Sequence, residues 1–397
     1  MLSFMMPLLV AVIGAGPERV AMNDVVEGNN RFAFELFGKV RDRPGNLVFS
    51  PYSISTALAM TYTGASGQTA REMAETLHLP KDGKALDSGF AALRTLIGGD
   101  GEDRPYQLST ANALWGQQGL SYRPEFLKRA ESCFGAGLRP VDFLGDPGGA
   151  RKMINAWVEE QTRDKIKNLL ASSDIDRDTD LILTNAVYFK GSWATPFPKA
   201  STKDAEFRDG KSSRPVPTMH LTSQFGYLES DDFQGLDLPY VGNDLSMVIL
   251  LPKKVDGLAG LESSLSNSSI EGWLAKLARR RVQVELPRFK VEASCELAKT
   301  LASMGMPSAF GREADFSGMT TDRRLAISAV IHKAFTEVNE EGTEAAAATA
   351  VIMKRSMAIA PQQVPVVFRA DHPFLFLIRD VRSGSILFLG RVANPQG

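Results

Sequence analysis

The spacing of apolar residues changes near residue 180 of the chain. Between Asn23 and about Leu170, apolar residues recur mostly every three or four positions, which predicts amphipathic helices with shorter extended pieces such as Gln107–Trp115 between them. The helix-spaced residues are Phe32, Leu36, Phe37, Val40, Ile54, Leu58, Tyr62, Met73 and Leu77, and then Ile154, Trp157, Val158, Ile166 and Leu169, which we assign to one further helix. The first part of the chain is therefore expected to be mainly helical.

After Leu181 the pattern changes to alternating positions or to continuous apolar runs, both typical of strands in a large sheet. The predicted strands are Leu181–Phe189, Leu245–Leu251, Val282–Leu286, Ala326–Ile331, Val364–Phe368, Phe374–Ile378 and Ile386–Leu389. Helical patches at Leu258–Leu265, Ile270–Leu277 and Glu296–Met304 interrupt them. Because the sequence has no internal repeat and no long linker, we expect one α+β domain.

The alanine-rich segment Glu337–Met357 lies between two predicted strands and is open to two interpretations. Its alanines, with Thr343 as a cap and a basic pair at the far end, are typical of a helix. The alternative is a strand that enters an existing sheet, because the side chains are small, Gly342 supplies a hinge and no proline interrupts residues 308–360. We favour the strand, since a connection of about twenty residues without turn chemistry is usually functional.

Composition and charge exclude several classes of protein. The chain has 397 residues, 44% of them apolar, which is enough for a sizeable core. Its 45 basic and 46 acidic residues give a formal net charge of -1, so no bulk attraction to nucleic acid or membranes is expected. The two cysteines, Cys133 and Cys295, have no CxxC spacing, so we predict free thiols rather than a disulfide framework or a zinc site.

We assign residues 1–22 to an N-terminal extension or a signal segment, and residues 23–397 to the single domain. Leu2–Ile13 is an apolar run as long as a signal-peptide core, and Ala15 is an acceptable cleavage position. The run has no basic residue in front of it and is too short to span a bilayer. The sequence favours a secreted or periplasmic protein, with a cytoplasmic location as the alternative.

The common catalytic motifs are missing from the sequence. It has no GxSxG nucleophile elbow, no HExxH zinc motif and no GxxxxGK[ST] phosphate loop. The four histidines lack partners four residues further on, and the glycine-rich stretch Gly98–Gly101 opens no helix after a strand. We therefore predict neither an enzyme nor a resident metal or cofactor.

A series of segments resembles the serpin family, in the family's order along the chain. The segments are Asn46–Ser55, Gly64–Thr69, Leu183–Trp193, Pro287–Lys290, Ala314–Met319, Ile331–Lys333, Glu340–Thr349, Ala370–Phe376 and Leu389–Pro395. The resemblance implies a monomer with three β-sheets, about nine helices and an exposed reactive-centre loop at about residues 340–363. Heparin-activated serpins carry a basic helix at the position of Ala85–Gly99, where only Arg94 is suitably placed, so no heparin activation is expected.

The resemblance also implies an irreversible inhibitor of serine endopeptidases. A target protease attacks the reactive-centre loop and forms an acyl-enzyme, and the cleaved loop then inserts as a new strand into the large sheet. The protease is carried to the opposite pole of the inhibitor, where its distorted catalytic site does not complete the reaction. The residues of such a chain control a conformational change and perform no catalysis.

The resemblance gives roles to residues around this loop. The hinge, at which the loop enters the sheet, comprises Glu340, Glu341, Gly342, Thr343, Glu344, Ala345, Ala346, Ala347, Ala348 and Thr349. The residues that match the family's shutter, a polar cluster beneath the sheet, are Ser50, Ser53, Asn185 and His332. Trp193 and Arg288 match its breach, where the loop first enters, and we expect Arg288 to pair with Glu340. Strand alternation sends Thr343 and Ala345 towards the core and Glu344 outwards.

The scissile bond is open between two positions. The commonest loop length of the family, counted from Gly342, places it at Ser356–Met357, and a loop one residue shorter places it at Arg355–Ser356. Because arginine enters an acidic specificity pocket through charge-assisted hydrogen bonds, we prefer Arg355 and a trypsin-like target protease. Chymotrypsin-like and cysteine proteases are alternative targets, and a non-inhibitory carrier or chaperone is the alternative function.

Overall fold

The structure is a computed structural model that describes residues 16–98, 104–210, 212–343 and 364–396. These residues form nine α-helices: α1 Pro17–Val40, α2 Pro51–Tyr62, α3 Gly67–Thr76, α4 Gly83–Gly98, α5 Pro124–Phe134, α6 Pro147–Gln161, α7 Leu258–Ser263, α8 Asn267–Leu274 and α9 Ala298–Met304. Short 3-10 helices lie at Lys199–Ser201 and Pro307–Phe310. In this part of the chain no helix is both long and apolar enough to cross a membrane.

The strands form two hydrogen-bonded sheets. They are β1 Leu47–Phe49, β2 Tyr106–Gln117, β3 Leu138–Val141, β4 Leu181–Ser192, β5 Lys203–Arg208, β6 Ser213–Glu229, β7 Phe233–Pro239, β8 Leu245–Pro252, β9 Ala278–Pro287, β10 Phe289–Glu296, β11 Ile327–Asn339, β12 Gly342–Thr343, β13 Val366–Arg369, β14 Phe374–Asp380 and β15 Ile386–Val392. The six-stranded sheet has the order β10-β11-β12-β4-β2-β3. The nine-stranded sheet has the order β1-β15-β14-β8-β7-β6-β9-β13, and β5 pairs with β6.

The three expected sheets appear as two hydrogen-bonded networks because β6 is a continuous strand of 17 residues. Its first part pairs with β5 and β9, and its last residues, Gly226–Glu229, pair with β7. β6 thus joins two smaller sheets into one. The helices and mixed sheets together confirm the predicted α+β fold.

The six-stranded sheet carries an apolar core on each face. One core lies between this sheet, the nine-stranded sheet and helices that include α1 and α2. The other lies under α6 and includes Trp115, Ile154, Ile182 and Phe335. Central strand β4 is buried over almost its whole length, which explains the continuous apolar run in its sequence.

The predicted elements overlap the observed ones, with two differences. The predicted extension of the α6 helix to Ile166 and Leu169 was wrong, because Arg163 and Asp164 have φ values of 52° and 60° and end the helix. Ile166 and Leu169 are nevertheless buried against the sheet. α1 begins at Pro17, so this helix includes residues 17–22, which we assigned to the extension; residues 1–15 lie outside the described residues.

Candidate functional site

β11 and β4 separate at one end of the six-stranded sheet, and the two-residue strand β12 lies between them there. Over most of their length β11 and β4 pair directly and in parallel, up to Phe335 and Tyr188. Beyond that point Thr343 of β12 pairs with Val338 on one side and with Gly191 on the other. The sheet therefore has an opening at this end, and the opening is filled by residues of the predicted hinge.

Gly342 allows this entry because the chain passes very close to β4. Its φ is +151°, and a Cβ atom at this position would lie 2.0 Å from the carbonyl oxygen of Gly191. Any other residue would have to displace the backbone of β4. The glycine is thus required here by a close approach of two backbones.

Thr343 points into the core and is 0% exposed. Its hydroxyl oxygen lies 2.7 Å from the hydroxyl oxygen of Tyr240, a fully buried residue whose pKa is raised by burial. The Tyr240 ring stacks on Trp193 with 4.7 Å between the ring centroids. Trp193 Nε1 in turn donates to the carbonyl oxygen of Asn339 at 3.0 Å. Two aromatic side chains therefore hold both the hinge residue and the end of β11.

Glu340 is held by Arg288 at the same opening. Arg288 Nε donates to Glu340 Oε1 at 2.8 Å, and the hydroxyl of Thr202 donates to the same oxygen. Burial alone would raise the pKa of Glu340, but these hydrogen bonds outweigh it and hold the pKa below its ordinary value. Neighbouring Glu341 pairs with Lys199 at 2.5 Å. Both carboxylates in front of the hinge glycine are thus bound to the body of the protein.

A buried polar cluster crosses β11, β4 and β2 further along the sheet. His332, Asn185 and Asn112 lie opposite one another on these three strands. Asn185 Nδ2 donates to Ser53 Oγ at 2.7 Å, and Asn185 Oδ1 contacts His332 Nδ1. The backbone N–H of Ser50, the residue that caps α2, donates to His332 Nε2 at 3.2 Å. The structure thus brings together all four residues predicted for the shutter, and none is more than 1% exposed.

His332 is neutral in this cluster. Burial lowers its pKa to about 3, outweighing the opposing effect of a hydrogen bond involving Asn185. Because His332 Nε2 accepts from Ser50, we assign the ring proton to Nδ1, which donates to Asn185. A neutral network whose members are hydrogen-bonded can exchange partners when strands move, unlike interlocked aliphatic side chains.

Sequence reasoning missed four residues of the site. Asn112 belongs to the polar cluster, Thr202 binds the Glu340 carboxylate, Lys199 pairs with Glu341, and Tyr240 binds the hinge threonine. Only Asn112 carried a sequence signal, as a polar residue between Ala111 and Ala113 in a predicted strand. The rest of the hinge, residues 344–349, and both candidate scissile bonds, at residues 355–357, lie outside the described residues.

These features define an α+β protein whose central sheet admits a further strand at one end. The family model for "Serpin (serine protease inhibitor)" matches residues 27–395, and the chain belongs to the serpin family. It is 43% identical over 385 residues to an uncharacterized serpin-like protein of Thermococcus kodakarensis, with 97% of this chain and 88% of that protein covered. It is 44% identical over 385 residues to the leukocyte elastase inhibitor of Bos taurus, with 94% and 100% covered.

The chain also matches solved structures over nearly its whole length. Serpin48 of the insect Tenebrio molitor matches with a TM-score of 0.82 and 33% identity, covering 96% of this chain and 99% of that one. Human thyroxine-binding globulin, solved in complex with thyroxine, matches with a TM-score of 0.85 and 29% identity, covering 95% and 100%. The similar proteins thus include both protease inhibitors and a hormone-binding protein, and serpins are in general inhibitors rather than enzymes.

The predicted secreted or periplasmic location was wrong. Leukocyte elastase inhibitor and human serpins B3 and B8, which are 40–44% identical to this chain, are intracellular serpins without signal peptides. These relatives favour the cytoplasmic alternative.

Proposed function

We propose that this serpin is an irreversible inhibitor of trypsin-like serine proteases that traps the acyl-enzyme by inserting its cleaved loop between β11 and β4. The observation that carries the proposal is the position of β12, which already pairs with both strands through Gly342 and Thr343. The chain that follows Thr343 would extend this pairing between the same two strands.

The register of β12 supports the following order of events. Extended by one residue, it places Glu344 opposite Lys190 of β4 and Glu337 of β11. The direct pairs between β11 and β4 reach Phe335 and Tyr188, so a strand must separate them from the third added residue onwards. Each step exchanges a pair between β11 and β4 for pairs with the new strand.

The gain from insertion is large enough to drive the movement. About a dozen inserted residues add roughly ten ladder hydrogen bonds, each worth about 0.5–1.5 kcal/mol net, or on the order of 10 kcal/mol in total. The polar cluster lowers the cost of parting the strands, because Asn185 and His332 can find new partners on the inserted strand.

The target class rests on the sequence of the loop. Arg355 offers a guanidinium to the acidic specificity pocket of a trypsin-like protease. Cleavage at Ser356–Met357 by a chymotrypsin-like enzyme is the alternative, and a cysteine protease would be trapped in the same way as a thioester.

A carrier role is the second candidate function. A cavity of about 950 Å³ lies between α1, α8 and the β14–β15 hairpin, within the size range of small-molecule sites, and a structural relative is solved with thyroxine. We rank it second because the later part of the hinge, Ala345–Thr349, has only small uncharged side chains, whereas non-inhibitory serpins tend to carry bulky, charged or proline residues there. Titration calorimetry with thyroxine decides this point: saturable binding would favour the carrier, and we expect none.

Near-equimolar incubation with trypsin, denaturing electrophoresis and mass spectrometry of the released peptide test the inhibitor. We expect a stable complex at the summed mass and a peptide that begins at Ser356. A peptide that begins at Met357 would keep the mechanism and move the scissile bond. Cleavage of the wild type without any complex would contradict the trapping mechanism.

Two neighbouring substitutions serve as a matched pair in that experiment. Ala345→Glu places a charged side chain on the inserted strand's core face, and Ala346→Glu places the same side chain on its outer face, and neither adds a trypsin cleavage site. We expect Ala345→Glu to be cleaved as a substrate and Ala346→Glu still to form the complex. Equal behaviour of the two variants would contradict insertion in this register.

A further inference from the structure

Three successive arginines, Arg279, Arg280 and Arg281, lie at the start of β9; we call this segment the arginine surface. Because side chains alternate along a strand, Arg279 and Arg281 lie on one face of the sheet and Arg280 lies on the other. The first two side chains are exposed and the third is half-buried. Among the described residues none of the three takes part in an ion pair or a side-chain hydrogen bond. This arrangement leaves three guanidinium groups available to a partner.

The strands on which the arginines lie do not neutralise them. Their partners on β6 are Gln224, Phe225 and Gly226, none of which is charged. Further along the nine-stranded sheet, Asp237 of β7 pairs with Gly226 and lies 3.8 Å from Arg379, which already balances its charge. The arginine surface therefore keeps its net positive charge.

The arginine surface borders the point where the chain returns from the reactive-centre loop. β13 is the first strand after the loop, and it pairs in parallel with β9 from Val366 opposite Val282. Val282 directly follows the arginines. Val364, which leads into β13, is 89% exposed. Adjacent strands are about 4.8 Å apart, so the arginine surface lies next to the strand that follows the loop.

We propose that the arginine surface binds an acidic surface of the target protease and steers it towards the loop. Guanidinium groups bind carboxylates through paired, charge-assisted hydrogen bonds. Complementary charges at the edge of an interface act mainly on the association rate. This inference rests on the proposed inhibitor function and adds a preference for proteases with negatively charged surfaces.

A protease fits the observations better than a linear polyanion. Only two of the arginines share a face of the sheet, and the arginine surface adjoins β13, the strand that follows the loop. A polyanion gains affinity from many phosphate or sulfate contacts along an extended track. Two arginines on one face, with a third at the same end of the strand, suit one acidic patch of a folded protein.

The experiment compares an anionic and a cationic trypsin, which share their specificity for arginine and differ in surface charge. The rate constant for reaction at the loop, whether by trapping or by cleavage, is measured for the wild type and for the triple variant Arg279→Ala, Arg280→Ala, Arg281→Ala. At low salt we expect the variant to react roughly tenfold more slowly with the anionic enzyme, and nearly normally with the cationic one. High salt should remove the difference.

A second triple variant is the control for net charge. The control variant Lys81→Ala, Lys84→Ala, Lys128→Ala removes three exposed positive charges near α4 and on α5, and we expect less than a twofold change in the rate constant.

Equal rates for wild type and arginine variant with the anionic trypsin would overturn the proposal, even if complexes form normally. Failure of the wild type to form complexes would instead contradict the proposed inhibitor function, while the rate of loop cleavage would still report on docking. A rate that depends on the arginines only when heparin is added would assign the surface to a polyanion and overturn the protease assignment.

Discussion

The contact between β11 and β4 is stabilised by different interactions at its two ends. At the hinge end, β12 fills the gap and is bound by Tyr240, while Arg288 holds the Glu340 carboxylate. Further along, the two strands touch directly, and neutral polar groups of His332 and Asn185 join them. The hinge end holds the chain that will move, and the polar cluster holds the strands that must separate. Substitutions in the two regions should therefore have different effects.

The largest effect is expected from removing the centre of the polar cluster. Asn185→Leu keeps the size of the side chain but leaves the His332 N–H without its acceptor and Ser53 with one fewer partner. We expect the free energy of unfolding to fall by roughly 3 kcal/mol, measured by urea unfolding of the uncleaved protein.

The matched control is Thr61→Val in α2. It removes a hydroxyl that is 0% exposed and that bonds only within the helix, to the Ala57 carbonyl at 2.9 Å. We expect a cost of roughly 1 kcal/mol. If Asn185→Leu costs no more than this control, the cluster does not hold the two strands together.

The next effect, which is smaller over any one pH unit, is a pH dependence of the polar cluster. Unfolded His332 takes up a proton near pH 6.5, whereas the buried side chain takes one up only near its lowered pKa of about 3. Stability should therefore fall as the pH drops from 6.5 towards 3, by at most about 1.4 kcal/mol per pH unit for this group. Urea unfolding at a series of pH values, for the wild type and His332→Gln, isolates the contribution as a difference.

In this comparison we expect the difference between the two proteins to change steadily below pH 6.5. Thr61→Val, which removes no titrating group, is the control and should keep the wild-type slope. A His332→Gln curve parallel to that of the wild type would mean that the buried ring is protonated in the folded protein.

The sequence predicted the central strands well, because β4, β8 and β14 are buried on both faces and need continuous apolar runs. It did not predict β5 to β7, where polar and apolar residues mix. β12 could not be predicted from the sequence either, because a strand of two residues has no periodicity and is defined only by its pairing with neighbouring strands.

For the site, the family motifs located residues that the fold then brought together. Arg288 and Glu340 are 52 positions apart, and only the resemblance connected them before the structure did. Tyr240 is 103 positions from Thr343 and belongs to none of the matched motifs, so its hydrogen bond to the hinge became visible only in three dimensions.

The smallest effect should come from the carboxylate at the hinge end, and it tests whether the two regions respond in separate pH ranges. The lowered pKa of Glu340 stabilises the fold above its ordinary value of 4.5, and this contribution is lost as the pH falls through the lower folded value. Glu340→Gln keeps the shape and cannot titrate, so its stability should change less than that of the wild type below pH 4.5. We expect a difference below about 1 kcal/mol, because the Arg288 side chain is 46% exposed and water screens the pair. Thr61→Val, which removes no titrating group, is again the control and should keep the wild-type pH dependence. A difference between wild type and Glu340→Gln that already develops near pH 6 would show that Glu340 and His332 titrate as one coupled system, and the two ends of the contact would then not be independent.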